Sequence, residues 1–208
     1  TLRRIKQLDQ GYSFQRAGDA KGFYPYRGKG LSIHSLEEIL TKFPDIKYNM
    51  DIKDKNVQAA VVLARKLKEL DAENRVMVGS FHQKQLYCFR ELSSAATSAG
   101  PLEVWKFSLK IKRWLRKHPN FSSASERPLE QEKLFGKKLP YYALQIPEKV
   151  LLLEIITGME FFVVSHRLQL AVHVWTVNQP EDMRRLLDWG ADGIFTDKPS
   201  LLLTVLAS

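Results

Sequence analysis

The chain has 208 residues, 44% of them hydrophobic, and its 32 lysines and arginines against 23 aspartates and glutamates give a formal net charge of +9. One cysteine, Cys88, excludes an internal disulfide and a thiolate metal cluster, and it fits a reducing, cytoplasmic location. We predict no membrane span, because no uncharged apolar run reaches about 18 residues. The basic residues accompany no helix-turn-helix, zinc-finger or RRM signature, which argues against binding of nucleic acid.

The first part of the chain changes from irregular to regular patterning. Residues 1–30 mix charges, glycines and aromatic residues without a sustained period, so we interpret them as a loop or a small irregular lobe. Ser35 and Glu38 then have capping-box spacing and predict a short helix. Residues 46–53 (IKYNMDIK) alternate like a strand, and a helix with one apolar face follows from Asn56.

The alternation of strands and helices continues to the end of the chain. The further predicted strands are residues 75–81, 95–98, 141–146, 171–177 and 192–196. The further predicted helices are residues 82–92, 102–118, 158–166, 181–189 and 199–207. Residues 119–140 have the composition of a polar loop.

This order predicts parallel strands joined by helical crossovers, in either an open doubly wound sheet or a (β/α)8 TIM barrel. No GxGxxG turn follows any strand, which removes the main dinucleotide fingerprint and favours the barrel. The count is about six βα units, whereas a closed barrel needs eight. We therefore expect an incomplete barrel in which the first two strands are missing.

The chemistry of a barrel is expected where its strands end. Asp51 and Lys53 alternate at the end of the first predicted strand, so both face the barrel mouth. The carboxylate suits Mg²⁺ or Ca²⁺ and the ammonium suits a phosphate. Taken alone, however, the pair is explained slightly better as an ion pair that merely seals the barrel interior. Trp175 ends a later strand, where it forms either a wall of a substrate pocket or part of the core.

Other polar residues near strand ends have structural explanations. Asn178 and Asp197 each precede a predicted helix, and we predict that they cap it. His173 lies two residues before Trp175, on the same side and one layer deeper. It is either a buried structural histidine or a general base.

Several motifs resemble those of glycerophosphodiester phosphodiesterases. Residues 172–199 (VHVWTVNQPEDMRRLLDWGADGIFTDKP) are similar to the C-terminal signature of this family, and residues 48–54 (YNMDIKD) are similar to its metal-site strand. The segments VMVGSF, ATSAGP and YYALQIP occur in the expected order between them, and LSIHSLEEILTKFPD resembles the preceding helix. The resemblance covers roughly residues 31 to 205.

The resemblance implies a (β/α)8 barrel that hydrolyses glycerophosphodiesters to an alcohol and sn-glycerol 3-phosphate with a divalent cation, Ca²⁺ or Mg²⁺. Matched motif to motif, Asp51 takes the place of the metal-binding acid, which is often glutamate in the family. Lys53 takes that of the phosphate-facing lysine, and Trp175 that of an aromatic wall beside the glycerol. The substrates implied are small glycerophosphodiesters or lysophospholipids.

The sequence also departs from the family. The His-Arg-Gly, Glu-x-Asp and His-Asp motifs that carry the family's catalytic histidines and most metal ligands do not occur, so we assign no catalytic residue. The chain also begins at Thr1 rather than Met. We expect a fragment that is inactive alone, with residues 1–30 as the remnant of an insertion lobe and residues 31–208 as a partial barrel. The alternative is a non-catalytic relative that binds phospholipid or a protein.

Two surfaces of this partial barrel have predicted partners. Exposed sheet edges favour a dimer. The segment 102–118, which begins at Leu102 and ends at His118, reads as a basic amphipathic helix. Packing against the barrel accounts for most of its apolar residues, and a peripheral contact with an anionic membrane is the second interpretation.

Overall fold

The computed structural model describes residues 2–16, 18–119, 121, 128–150, 153–156 and 158–207. The chain divides into two compact units, Thr1–Ile46 and Lys47–Ser208. None of the helices in the described part of the chain combines the length and the apolar character that a bilayer crossing requires.

The first unit contains two short helices, α1 (Leu2–Ile5) and α2 (Leu36–Lys42), and is otherwise built of turns. The predicted capping box is confirmed, because the Ser35 hydroxyl accepts the N–H of Glu38 while the Glu38 carboxylate accepts the N–H of Ser35. Lys6 also donates to that carboxylate and, with the Ser35 N–H, lowers the pKa of Glu38 to about 2. The cap and the ion pair thus fix the start of α2.

The second unit alternates strands and helices as predicted. Its parallel strands are β1 (Tyr48–Asp51), β2 (Val76–Gly79), β3 (Ala96–Thr97), β4 (Ala143–Ile146), β7 (Ala171–Val174) and β8 (Gly193–Ile194). The helices that follow them are α3 (Gln58–Glu69), α4 (Gln83–Leu92), α5 (Pro101–Lys117), α7 (Met159–Arg167), α8 (Pro180–Asp188) and α9 (Pro199–Leu206).

Four further elements of the second unit lie outside the prediction. A short helix, α6 (Gln131–Phe135), forms within the segment expected to be a loop, and it ends at Gly136 in the left-handed conformation. Strands β5 (Lys149–Val150) and β6 (Leu153–Glu154) pair antiparallel. A 3₁₀ turn (Glu73–Arg75) leads into β2.

The parallel strands follow one another in a continuous order. Pairing runs β1-β2-β3 and β4-β7-β8, and a parallel bridge between Ser98 and Ala143 connects the two groups. In the described part of the chain β1 pairs with β2 alone and β8 with β7 alone. The sheet is therefore open, and the predicted partial barrel of about six βα units is confirmed.

The two faces of the sheet differ in burial. The face turned towards the helices is apolar and buried, and its residues include Val76, Val78, Leu144, Ile146, Val172 and Val174. Phe161 and Phe162 of α7 are also buried, each stabilising the fold by about 1.5–3 kcal/mol through the removal of apolar surface from water. The opposite face carries the polar residues of the candidate site.

Candidate functional site

Asp51 and Lys53 lie together at the end of β1. The Nζ of Lys53 is 2.5 Å from Oδ2 of Asp51, so the two side chains share a face as the alternation of the sequence predicts. Asp51 is partly exposed and Lys53 is largely exposed. The ion pair exists, and solvent reaches both groups at the open edge of the sheet.

An aromatic pair stands beside this ion pair. The Nζ of Lys53 lies 5.1 Å from the ring centroid of Phe81, and Phe81 meets Trp175 edge to face with centroids 5.7 Å apart and rings inclined by 77°. Phe81 thus brings Lys53 and Trp175 into one cluster at the carboxyl ends of β1, β2 and β7. We name Asp51, Lys53, Phe81 and Trp175 the strand-end cluster.

Phe81 was not predicted to belong to the site, although the sequence contains one signal that points to it. Asp51 pairs in register with Gly79, so the residue two positions after Gly79 falls beside Lys53. A large exposed aromatic residue at that position is a candidate substrate contact, because parallel strands bring their carboxyl ends to one edge.

A polar layer lies below the strand-end cluster, inside the barrel. The Nε2 of Gln145 donates to Oδ1 of Asn49 at 2.5 Å and lies 3.3 Å from Nδ1 of His173. Burial lowers the pKa of His173, and the charge of Asp192 opposes that shift. His173 is held within a hydrogen-bonded layer, which fits the structural interpretation of this residue.

Two glycines make room for this layer. A Cβ at Gly79 would lie 3.0 Å from both Oε1 of Gln145 and Oγ of Ser98. A Cβ at Gly193 would lie 2.9 Å from the ring of His173. Side chains at these positions would displace the layer and, with it, the floor of the site.

The predicted capping roles of Asn178 and Asp197 are wrong. Helix α8 begins at Pro180, so its cap position is Gln179, one residue after Asn178; likewise α9 begins at Pro199 and its cap position is Lys198. Proline favours the first helical turn, and it sets both boundaries.

Asn178 instead joins two strand ends. Its Nδ2 donates to the carboxylate of Asp197 at 2.8 Å. Its Oδ1 accepts the backbone N–H of Asp197 at 2.9 Å and the hydroxyl of Thr196 at 3.0 Å. The segments that follow β7 and β8 are therefore tied together next to Trp175.

The site contains one acid with the chemistry of a divalent-cation ligand. Asp51 supplies a carboxylate, the ligand type that Ca²⁺ and Mg²⁺ prefer, but Ca²⁺ takes about six to eight oxygen ligands and Mg²⁺ about six. Among the residues that the structure describes, no group of three or more histidine, cysteine, aspartate or glutamate side chains could hold a metal ion. These residues alone do not enclose a cation.

A parallel βα sheet that gathers charged and aromatic side chains at the carboxyl ends of its strands has the layout of an α/β-barrel enzyme. The Glycerophosphoryl diester phosphodiesterase family matches residues 1–201, and the chain belongs to this family. The match includes the first thirty residues, which the motif resemblance did not cover.

Individual relatives agree with this assignment. The chain is 31% identical over 185 residues to a probable glycerophosphodiester phosphodiesterase 2 of Mycobacterium tuberculosis, covering 86% of this chain and 62% of the relative. It is 29% identical over 219 residues to a glycerophosphodiester phosphodiesterase of Bacillus subtilis, covering 97% and 62%. The chain thus spans 62% of the length of each of these two relatives.

A solved structure shows the same fold. The glycerophosphoryl diester phosphodiesterase domain of a Mycobacterium tuberculosis protein superposes with a TM-score of 0.70 at 17% identity, over 100% of this chain and 74% of that one. This likeness concerns the fold, and it supports the partial TIM barrel.

Proposed function

We propose that the natural protein containing this chain hydrolyses glycerophosphodiesters to an alcohol and sn-glycerol 3-phosphate. Membership of the family over residues 1–201 supports the reaction class. The observation that carries the proposal is the strand-end cluster, in which an exposed cation lies beside the Phe81 ring, and that ring contacts Trp175 at the mouth of the barrel.

Each member of the cluster has a proposed role. Lys53 is exposed enough to meet a phosphate of the substrate as a point charge. Trp175 and Phe81 present apolar ring surface to the glycerol carbons. Both small glycerophosphodiesters and lysophospholipids carry this glycerophosphoryl group, so we propose both as substrates.

We propose that Asp51 supplies one oxygen ligand to Ca²⁺ or Mg²⁺. The donor type fits, and we propose that further acids on additional strands complete the ligand set. When bound, such a cation would draw negative charge from the phosphate group. Lys53 lies 2.5 Å from the same carboxylate, so one site would present both a cation ligand and a phosphate-binding charge.

The acid and base of the reaction are proposed to lie on further strands. The sequence contains no His-Arg-Gly motif, and the edges of β1 and β8 are open in the described part of the chain. Two more strands between these edges would complete the barrel. We therefore propose that the 208-residue chain is inactive alone and that its open edges favour dimerisation.

The natural full-length protein and the 208-residue chain are assayed side by side for release of glycerol 3-phosphate from glycerophosphocholine and glycerophosphoethanolamine. We expect activity from the full-length protein alone, its loss with chelator and its return with Ca²⁺ or Mg²⁺. Lys53→Met lowers the rate, and the matched exposed variant Lys68→Met on α3 does not. A full-length protein that releases no glycerol 3-phosphate with either cation contradicts the proposal and favours a non-catalytic, ligand-binding relative.

We also propose a cytoplasmic location, which the single cysteine of the chain supports. Microscopy of the tagged natural protein tests it, and accumulation outside the cytoplasm contradicts it.

A further inference from the structure

Helix α5 has two faces of different character. One face packs against the core of the second unit and holds the buried residues Phe107, Ser108 and Ile111. Val104, Trp114 and Leu115 are partly buried against the same core. Packing therefore explains this half of the helix, as predicted from the sequence.

Three large apolar side chains of α5 lie outside that core. Leu102 and Trp105 are each 56% exposed and Leu109 is 49% exposed. Their spacing of three and four residues places them on one side of the helix over two turns. We name these three residues the apolar strip.

Basic residues accompany the apolar strip on the solvent side. Lys106, Lys110 and Arg113 are exposed, repeat at the same helical spacing, and form no ion pair with any residue that the structure describes. The single acid of α5, Glu103, is turned inward to Arg90. We name these three cations the basic row; the exposed side of the helix carries no negative charge to offset it.

The apolar strip also lies at a particular end of the barrel. Helix α5 follows β3, so its first turns lie near the carboxyl ends of the strands. Leu102 and Trp105 belong to those first turns. The strip is therefore on the same side of the barrel as the strand-end cluster.

We propose that helix α5 docks on the surface of an anionic phospholipid bilayer. Apolar side chains that include tryptophan enter the boundary between head groups and acyl chains, and adjacent cations meet the lipid phosphates. A nucleic acid would use the basic row but would leave Leu102 and Leu109 without a role. The proposal does not depend on catalysis, because it concerns binding alone.

Vesicle co-sedimentation of the natural full-length protein tests this docking, with phosphatidylcholine vesicles that contain or lack phosphatidylserine. We expect binding only when phosphatidylserine is present. The double variant Trp105→Ser/Leu109→Ser lowers the partition coefficient by about tenfold or more, because apolar burial is lost. The double variant Lys106→Glu/Lys110→Glu lowers it by about tenfold or more through charge reversal near the lipid phosphates.

Matched controls lie on helix α3, where Val62 and Lys68 are exposed. The double variant Val62→Ser/Lys68→Glu should bind as the wild type does. A wild type that does not bind phosphatidylserine vesicles overturns the proposal, and so does an α5 double variant that binds unchanged. If Lys106→Glu/Lys110→Glu loses binding while Trp105→Ser/Leu109→Ser binds as the wild type does, the helix adsorbs to any polyanion. That result also overturns the proposal.

A second measurement does not depend on the folding of the multiple variants. Brominated phosphatidylserine should quench part of the tryptophan fluorescence of the wild-type protein, and Trp105→Phe should remove that quenching. Quenching of equal size in Trp105→Phe places a different tryptophan at the lipid and contradicts the docking of the apolar strip.

Discussion

Arg90 of helix α4 and Glu103 of helix α5 form a bidentate ion pair, with Nη1 2.7 Å from Oε1 and Nη2 3.1 Å from Oε2. The side chains are 13% and 12% exposed. Arg90 also donates to the hydroxyl of Thr97 and the carbonyl of Ser98, while Glu103 accepts the N–H of Gly100. One pair of charges thus joins two helices to the end of β3.

Glu103→Gln should lower the free energy of unfolding by about 3 kcal/mol, because it leaves the guanidinium of Arg90 with no charged partner in a largely buried position. Urea denaturation measures the change. The control is Glu130→Gln, which removes an exposed ion pair with Lys133 and should cost less than about 1 kcal/mol. Equal effects of the two substitutions on the free energy of unfolding would show that burial of the ion pair between Arg90 and Glu103 does not increase its contribution to stability.

The Glu103 carboxylate should make the stability of the fold depend on pH. Burial raises the pKa of Glu103, but hydrogen bonds from Arg90 and Gly100 outweigh burial, so the pKa lies below its usual value of 4.5. Glu103 binds a proton more readily in the unfolded chain than in the folded one. The stabilisation from its ionised carboxylate is therefore complete above about pH 4.5 and is lost as the pH falls through the folded-state pKa. Urea midpoints measured from pH 6 to pH 3 should fall more steeply for wild type than for Glu103→Gln. Parallel curves would contradict this assignment.

Asn178→Ala should destabilise the protein by about 1–3 kcal/mol, because the amide makes three hydrogen bonds to Thr196 and Asp197. Gln179→Ala is the matched control, since Gln179 occupies the cap position of α8 without a side-chain capping bond. Thermal melts of both variants check the result. A larger loss of stability in Gln179→Ala than in Asn178→Ala would show that the cap position of α8, and not the link from Asn178 to Thr196 and Asp197, stabilises this region.

Local patterns were predictable where both partners lie within a few residues. The Ser35 and Glu38 cap is complete within four residues, and the shared face of Asp51 and Lys53 follows from strand alternation. The boundary at Asn178 failed by one residue, because Pro180 rather than the polar side chain set the start of the helix.

Contacts between distant segments were not predictable in the same way. Phe81 and Trp175 come from different strands, and only the register of β1 with β2 places Phe81 beside Lys53. The contact of Gln145 with Asn49 spans 96 residues of sequence. Helix α6 is too short to show an apolar period, so composition favoured a loop there. Amphipathicity marked α5, but burial was needed to separate its packed tryptophan, Trp114, from its exposed one, Trp105.

The edge-to-face contact of Phe81 with Trp175 predicts a coupled effect on substrate binding. In the natural full-length protein, Trp175→Ala and Phe81→Ala should each raise KM for glycerophosphocholine by roughly tenfold with a smaller change in kcat, because each removes the proposed apolar contact with the glycerol. The effects of the two substitutions on KM should not be additive in the double variant. Each substitution also removes the contact between the rings, which is worth about 0.5–1.5 kcal/mol. Steady-state kinetics of the two single variants and the double variant measure this coupling.

The control for those kinetics is Tyr87→Ala, which removes an exposed aromatic ring from helix α4. It should leave KM unchanged, and Trp175→Phe should retain most of the affinity because an aromatic face remains opposite Phe81. If KM is the same in Trp175→Ala as in the wild type, these rings do not contact substrate, and the aromatic pair serves only to pack the ends of β2 and β7.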